Sequence, residues 1–294
     1  MNTLVPLNLN NFNINMSIMA LSLSDEYAQI LLGHLSLKDL QDKLDNGEIL
    51  WGFKINNTIQ GKILLEHDTK KGFNVIGALI NPDLTSNQHI VIGAHIDHLG
   101  VNVFENGNQE IYYGADDNAS GVSGVLEIAH LLAYKYQTQQ LELKKNIVFA
   151  IWSGEELGCL GSLNFTKQVK KIIGNDNLYP FISSVFNADM IGRFRGKLFV
   201  QGVGSSTGWN AYIDLFKDFF NGDLVLQEDP YLPTDSTSFY LSQIPIINFF
   251  TGTHEDYHKT TDTWDKINFD GIKEISQLMA NILIEFVQSQ ELLD

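Results

Sequence analysis

Apolar positions along the chain follow two rhythms. Short β-branched runs bounded by Gly, Asn, Asp or Ser occur at Asn74–Ile80, His89–Ile96, Lys145–Ser153, Ser183–Ala188, Leu198–Gly202 and Pro245–Thr251, and they predict strands. Between Ser120 and Tyr136, Val122, Val125, Leu126, Ala129, Leu132 and Ala133 recur at helical spacing; Thr207–Phe220 and Gly271–Gln288 show the same rhythm, and all three predict helices. Strands alternating with helices imply an α/β sheet with helices on its faces. Ahead of it, Leu21–Asp45 reads as one or two short amphipathic helices within a less regular lead-in spanning residues 1–71. The main domain then runs over residues 72–294.

Composition narrows the partners. Among 294 residues, 19 are basic and 35 acidic, a formal net charge of −16. Binding to a phosphate backbone needs clustered Lys and Arg, so nucleic acid is excluded as a partner, and no run of about 18 uncharged apolar residues offers a membrane span. One cysteine, Cys159, cannot form an internal disulfide, so the fold must rest on its core, for which 44% hydrophobic residues suffice. Met1–Ser22 lacks the basic start and small-residue cleavage pattern of a secretory signal.

The chemistry gathers at strand ends, where open α/β sheets bind ligands. His95-Ile96-Asp97-His98 closes the second strand, and alternation sends His95 and Asp97 to one side, placing a carboxylate for the second ring nitrogen of a metal-bound imidazole. Read alone, His95 is more simply a satisfied strand-end histidine. Gly114-Ala115-Asp116-Asp117-Asn118-Ala119-Ser120-Gly121 precedes a helix and carries more polar residues than a helix cap needs. In Trp152-Ser153-Gly154-Glu155-Glu156-Leu157-Gly158, adjacent acids point different ways, so one can ligate a metal while the other handles a proton; two acids favoured by a helix dipole explain the pair equally. Asp189, in Asn187-Ala188-Asp189-Met190-Ile191-Gly192, sits in apolar surroundings, where an ionised carboxylate must be paired or metal-bound.

His254-Glu255-Asp256-Tyr257-His258 spells HExxH, but it follows a strand through Gly252 and runs into Lys259-Thr260-Thr261-Asp262, which is loop composition. It therefore lacks the helix that a zincin motif requires. Arg193 and Arg195, the chain's two arginines, are expected in structural salt bridges with acidic loops. Together, His, Asp and Glu at successive strand ends form a nitrogen and oxygen donor set suited to a borderline divalent metal such as zinc.

The ordered motifs AHIDH, GADDNASG, SGEELG, NADMIGR and FTGTHEDYHKTTDTWDKIN resemble those of the co-catalytic di-zinc aminopeptidases, the family of bacterial leucyl aminopeptidase and aminopeptidase Y, over roughly Asn74 to Leu293. The resemblance implies a zinc-dependent exopeptidase fold, with a mixed, largely parallel central sheet flanked by helices. It implies two Zn²⁺ per chain. His95 and Asp189 resemble the ligands of one ion, Glu156 and His258 those of the other, and Asp117 the bridge. Glu155 resembles the general base, Tyr257 the residue that polarises the scissile carbonyl or steadies the oxyanion, Asp97 a supporting residue, and Asp235 an acidic motif whose usual following histidine is Ser236 here. A cis Asp117–Asn118 bond is implied too. The lead-in is similar to the segment that flanks a protease-associated domain in many bacterial members, and that domain is missing from this chain.

Substrates would be peptides with a free N-terminus, and the aromatics Phe249, Phe250 and Tyr231 suggest apolar N-terminal residues. Secreted or periplasmic placement is favoured by the resemblance alone. Glutaminyl cyclases share the fold and expel ammonia from N-terminal glutamine, carboxypeptidase or dipeptidase action is a further variant, and some relatives act as receptors after losing their ligands. Every ligand position is filled here, which argues against a binding-only role.

Overall fold

A computed structural model describes residues 23–48, 52, 69–84, 87–104 and 106–293. The stretch Met1–Ser22, which lacks the secretory-signal pattern, lies outside them. The chain separates into two units, Met1–Lys70 and Lys71–Asp294. In the first, the amphipathic segment forms α1 (Asp25–Leu32) and α2 (Leu37–Asp45). The hydroxyls of Ser24 and Ser36 cap them by accepting from Tyr27 N and Asp39 N.

The second unit is a mixed α/β structure. Its strands are β1 (Val75–Leu79), β2 (His89–His95), β3 (Gly100–Val103), β4 (Gln109–Tyr112), β5 (Asn146–Trp152), β6 (Ile182–Ala188), β7 (Lys197–Gln201), β8 (Asp223–Gln227) and β9 (Ile246–Phe250). Seven of them form one sheet in the order β1-β5-β2-β6-β9-β7-β8, and β3 and β4 form a separate hairpin. The central strands β5, β2, β6 and β9 are mutually parallel; β1 and β7 run antiparallel to their inner neighbours.

Both faces of the sheet are covered, which explains why the central strands read as continuous apolar runs. Along β2, Ile90, Ile92 and Ala94 join one core with α3 (Gly121–Gln137), α5 (Trp209–Asp214) and α7 (Phe269–Gln288). Val91 points the other way, into a core with Trp152, Phe239 and Val169 beneath α4 (Leu160–Ile173) and α6 (Ser236–Tyr240). In α7, Ile275, Leu278, Met279, Ile282, Leu283 and Phe286 repeat every three or four residues and are buried against α3. Among the described residues no helix is long and apolar enough to cross a membrane.

The helix expected over Thr207–Phe220 is shorter. It ends as α5 at Asp214 and resumes as a 3₁₀ turn at Lys217–Phe219, with Phe216 at φ −123° breaking the helical path between them. The apolar spacing is nonetheless used, since Trp209, Ile213 and Phe220 are buried.

Lys145, directly before β5, is fully buried. Its ammonium donates to Phe286 O at 3.0 Å and Ser289 O at 2.5 Å and lies 4.3 Å over the Phe286 ring. It thereby closes the end of α7, where carbonyls have run out of helical amides. Burial pushes its pKa from 10.5 down to about 8, against the pull of Glu291. Lys145→Met is expected to destabilise the fold by about 1–3 kcal/mol at neutral pH by removing the ammonium donor from Ser289 O and leaving Phe286 O with Ser289 N at 3.3 Å. Between the folded and unfolded pKa values the unfolded chain holds a proton that the folded chain has released. The wild type must therefore gain stability relative to the variant as pH rises through that window. Urea denaturation of both proteins at about pH 7 and about pH 9.5 checks this; a stability gap that does not change refutes it.

Candidate active site

Because β5, β2, β6 and β9 are parallel and adjacent, their carboxyl ends share one edge, and each delivers a polar residue there. His95 is the last residue of β2, Glu155 and Glu156 follow β5, Asp189 follows β6, and the turn carrying His258 follows β9. Asp117 arrives from a distorted turn, Ala115–Ser120, that leads into α3. The Asp117–Asn118 bond is cis.

Two groups form around Asp117. On one side, His95 Nε2 lies 3.1 Å from Asp117 Oδ1 and 3.5 Å from Asp189 Oδ1. On the other, His258 Nε2 lies 3.1 Å from Asp117 Oδ2 and 3.3 Å from Glu156 Oε2. Atoms bound to a single zinc ion stand roughly 3.4 Å apart, so each group fits such an ion, and Asp117 offers one oxygen to each. Nitrogen and oxygen donors suit zinc, and the buried cluster His95–Asp117–Asp189 and the partly buried cluster His98–Asp117–Glu156 are each compact enough to hold an ion. The imidazole and carboxylate charges stabilise one another here. Burial opposes charge on His95, yet hydrogen bonds to Asp117 and Asp189 raise its pKa to about 12. Burial likewise opposes charge on Asp117, but His95, His98 and His258 hold its pKa below the usual carboxylate range.

The supporting contacts differ from expectation at Asp97. His95 Nδ1 meets the backbone carbonyl of Asp97 at 3.0 Å, while the Asp97 carboxylate stands 3.9 Å off. That carboxylate instead accepts from Glu155 N at 3.0 Å and Glu156 N at 3.2 Å, so it shapes the turn after β5. Glu155 and Glu156 lie ahead of α4 rather than in its first turn, so helix-dipole stabilisation does not account for them. Burial, with Asp189, Asp235 and Glu156 nearby, pushes the Glu155 carboxyl up to about 8 although His95 opposes the rise.

Asp235 stands outside both groups. It is buried, accepts from Ser162 Oγ at 2.5 Å, and its desolvation raises its pKa to about 7. The Tyr257 ring stacks on His258 with centroids 3.8 Å apart. The HExxH segment forms turns, as its composition indicates, and His258 adopts a positive φ of 55°. Phe249 is fully buried, Phe250 packs near Phe199 and Tyr231 against Tyr240, so these contacts account for the three aromatics without a substrate.

Several residues at the site carried no sequence signal that singled them out. Asp262 Oδ2 accepts from Asp116 N at 2.5 Å and Asp117 N at 3.2 Å, fixing the bridging turn from below. Arg193 pairs with Asp262 at 3.2 Å and Asp256 at 3.1 Å, and Lys266 with Asp256 at 2.5 Å. Arg193 is thus the structural cation its acidic surroundings suggested, and Arg195 bonds the carbonyl of Thr253. His254 Nε2 stands 3.3 Å from Asp116 Oδ2. These are carboxylates in a polar loop until folding buries them.

Known proteins share the sequence pattern and the fold. The chain is 27% identical over 270 residues to leucine aminopeptidase 2 of Trichophyton rubrum, covering 80% of this chain and 48% of the relative. Its fold is similar to that of a zinc aminopeptidase from Bacillus subtilis (TM-score 0.58, 23% identity, 74% of this chain and 51% of the other). It is also similar to Porphyromonas gingivalis glutaminyl cyclase (TM-score 0.52, 19% identity, 73% and 77%). The chain spans about half the length of the curated relatives it matches. Residues 74–283, which contain every strand-end residue described above, match peptidase family M28, and the chain belongs to that family.

Proposed function

We propose that this chain is a metallo-aminopeptidase that hydrolyses the first peptide bond of substrates with a free N-terminus. His95, Asp117 and Asp189 would hold one Zn²⁺, and Asp117, Glu156 and His258 a second. The observation that carries this reading is the Asp117 carboxylate, with one oxygen in each donor group. When bound, two zinc ions would bring +4 against three ligand carboxylates, and the surplus charge would acidify a water and polarise a carbonyl.

The remaining work falls to side chains. Glu155, partly buried at the end of β5 beside both donor groups, would accept the proton of the attacking water and return it to the departing amine. Tyr257, whose pKa burial and the surrounding carboxylates raise to about 12, keeps its proton at neutral pH and serves as a donor to the developing oxyanion. A free α-amino group is a nitrogen donor that one of the two ions would hold, which favours cleavage at the first bond.

The test is a panel of amino-acyl p-nitroanilides and their N-acetylated counterparts, assayed before and after metal removal. Free-amine substrates are expected to be cut, chelation to abolish the rate, zinc to restore it, and acetylated substrates to remain intact. Full activity in metal-free protein refutes the reading. Pyroglutamate formed from Gln-peptides, without release of N-terminal residues, would select the chemistry of a cyclase instead.

A further inference from the structure

The proposed ligand set leaves one imidazole of the site without a task. His98 is nearly buried, with 7% of its side chain exposed, and Nδ1 lies 2.8 Å from Glu156 Oε1 and 3.7 Å from Asp117 Oδ2. Glu156 is therefore gripped from two sides, with Oε1 at His98 and Oε2 3.3 Å from His258 Nε2. The two rings stand edge-on, with centroids 5.7 Å apart. Gly114 makes room for this placement: at φ +62° it is in the left-handed region, and a Cβ there would come within 2.7 Å of His98 Cγ and 2.4 Å of Asp117 O.

The second nitrogen of His98 decides between two roles. A metal-ligating imidazole ordinarily donates its other N–H to an acceptor, as His95 does to Asp97 O. His98 Nε2 is buried and has no hydrogen-bond partner. A proton on Nε2 would be orphaned there, whereas a proton on Nδ1 is accepted by Glu156.

We propose that His98 is a positioning residue whose Nδ1–H holds Oε1 of Glu156, so that Oε2 is the oxygen offered, opposite His258, to the second metal. This rests on the two-zinc reading above. Metal-free wild type, His98→Ala and His98→Asn are titrated with Zn²⁺ against a chelating indicator, and with Co²⁺ while visible absorption is recorded. The wild type is expected to bind two equivalents. His98→Ala keeps the first and loses affinity for the second by about 10–100-fold, the effect of removing a residue that orients a ligand. In His98→Asn the amide N–H stands where Nδ1–H stood, so most of that affinity returns with the wild-type Co²⁺ spectrum.

Undiminished affinity for the second ion in His98→Ala overturns the proposal. A His98→Asn variant as weak as His98→Ala, with altered Co²⁺ bands, also overturns it by making His98 a ligand. A wild type that binds fewer than two ions brings down the two-zinc reading itself, and this inference with it, whatever the variants do.

Discussion

Asp117→Asn is expected to reduce bound zinc from two ions per chain to at most one and to abolish peptide hydrolysis. The carboxylate offers two equivalent acceptor oxygens, one 3.1 Å from His95 Nε2 and the other 3.1 Å from His258 Nε2. An Asn amide has one acceptor and one NH₂ donor, so whichever way it turns, one metal position faces hydrogens instead of a lone pair. The replacement keeps the size and the backbone of a turn that is held independently by Asp262 and by Asn118, whose side chain donates to Ala188 O and accepts from Gly121 N and Met190 N. Loss of metal therefore should not be loss of fold. Zinc content after equilibrium dialysis, with circular dichroism as a control, decides the matter; two ions retained by the variant would remove Asp117 from its bridging role.

Glu155→Gln is expected to lower kcat by about 10²–10⁴-fold while leaving zinc content and thermal stability near wild type. The amide matches the shape of the carboxyl but cannot accept a proton. Little of the fold depends on the side chain, since its carboxylate accepts from Cys159 Sγ at a long 3.7 Å, and the turn is held through backbone amides bound to Asp97. Steady-state kinetics alongside metal analysis separate this from a ligand mutation, which would lose metal as well as rate. A variant with the full wild-type rate would show that the base lies elsewhere.

The sequence by itself determined the central sheet and the places where chemistry emerges from it. Strands β2, β5, β6 and β9 are mostly buried on both faces, so their sequences are predominantly apolar, and a polar residue at or beyond the end of each marks the carboxyl edge. The motifs around His95, Glu155 and Asp189 were legible for the same reason, as polar residues where a core strand stops, whereas Asp117 and His258 stand in turns and showed as dense polar clusters. Less visible were the exposed strands: β3 has all four residues exposed and β8 lies at the sheet's edge, so neither needs the apolar pattern that would announce it.

Only the tertiary structure decided which partners the polar residues meet. Spacing places Asp97 beside His95, yet the fold gives the carboxylate of Asp97 to the amides of Glu155 and Glu156, 58 and 59 residues away. Asp262 reaches Asp116 and Asp117 across 146 and 145 residues, and His98 reaches Glu156 across 58. A hydrophobic period reports which face is buried, because burial acts on every apolar side chain alike. Hydrogen bonds and ion pairs act only at contact distance and with defined direction, so their partners are fixed once the strands and loops have converged.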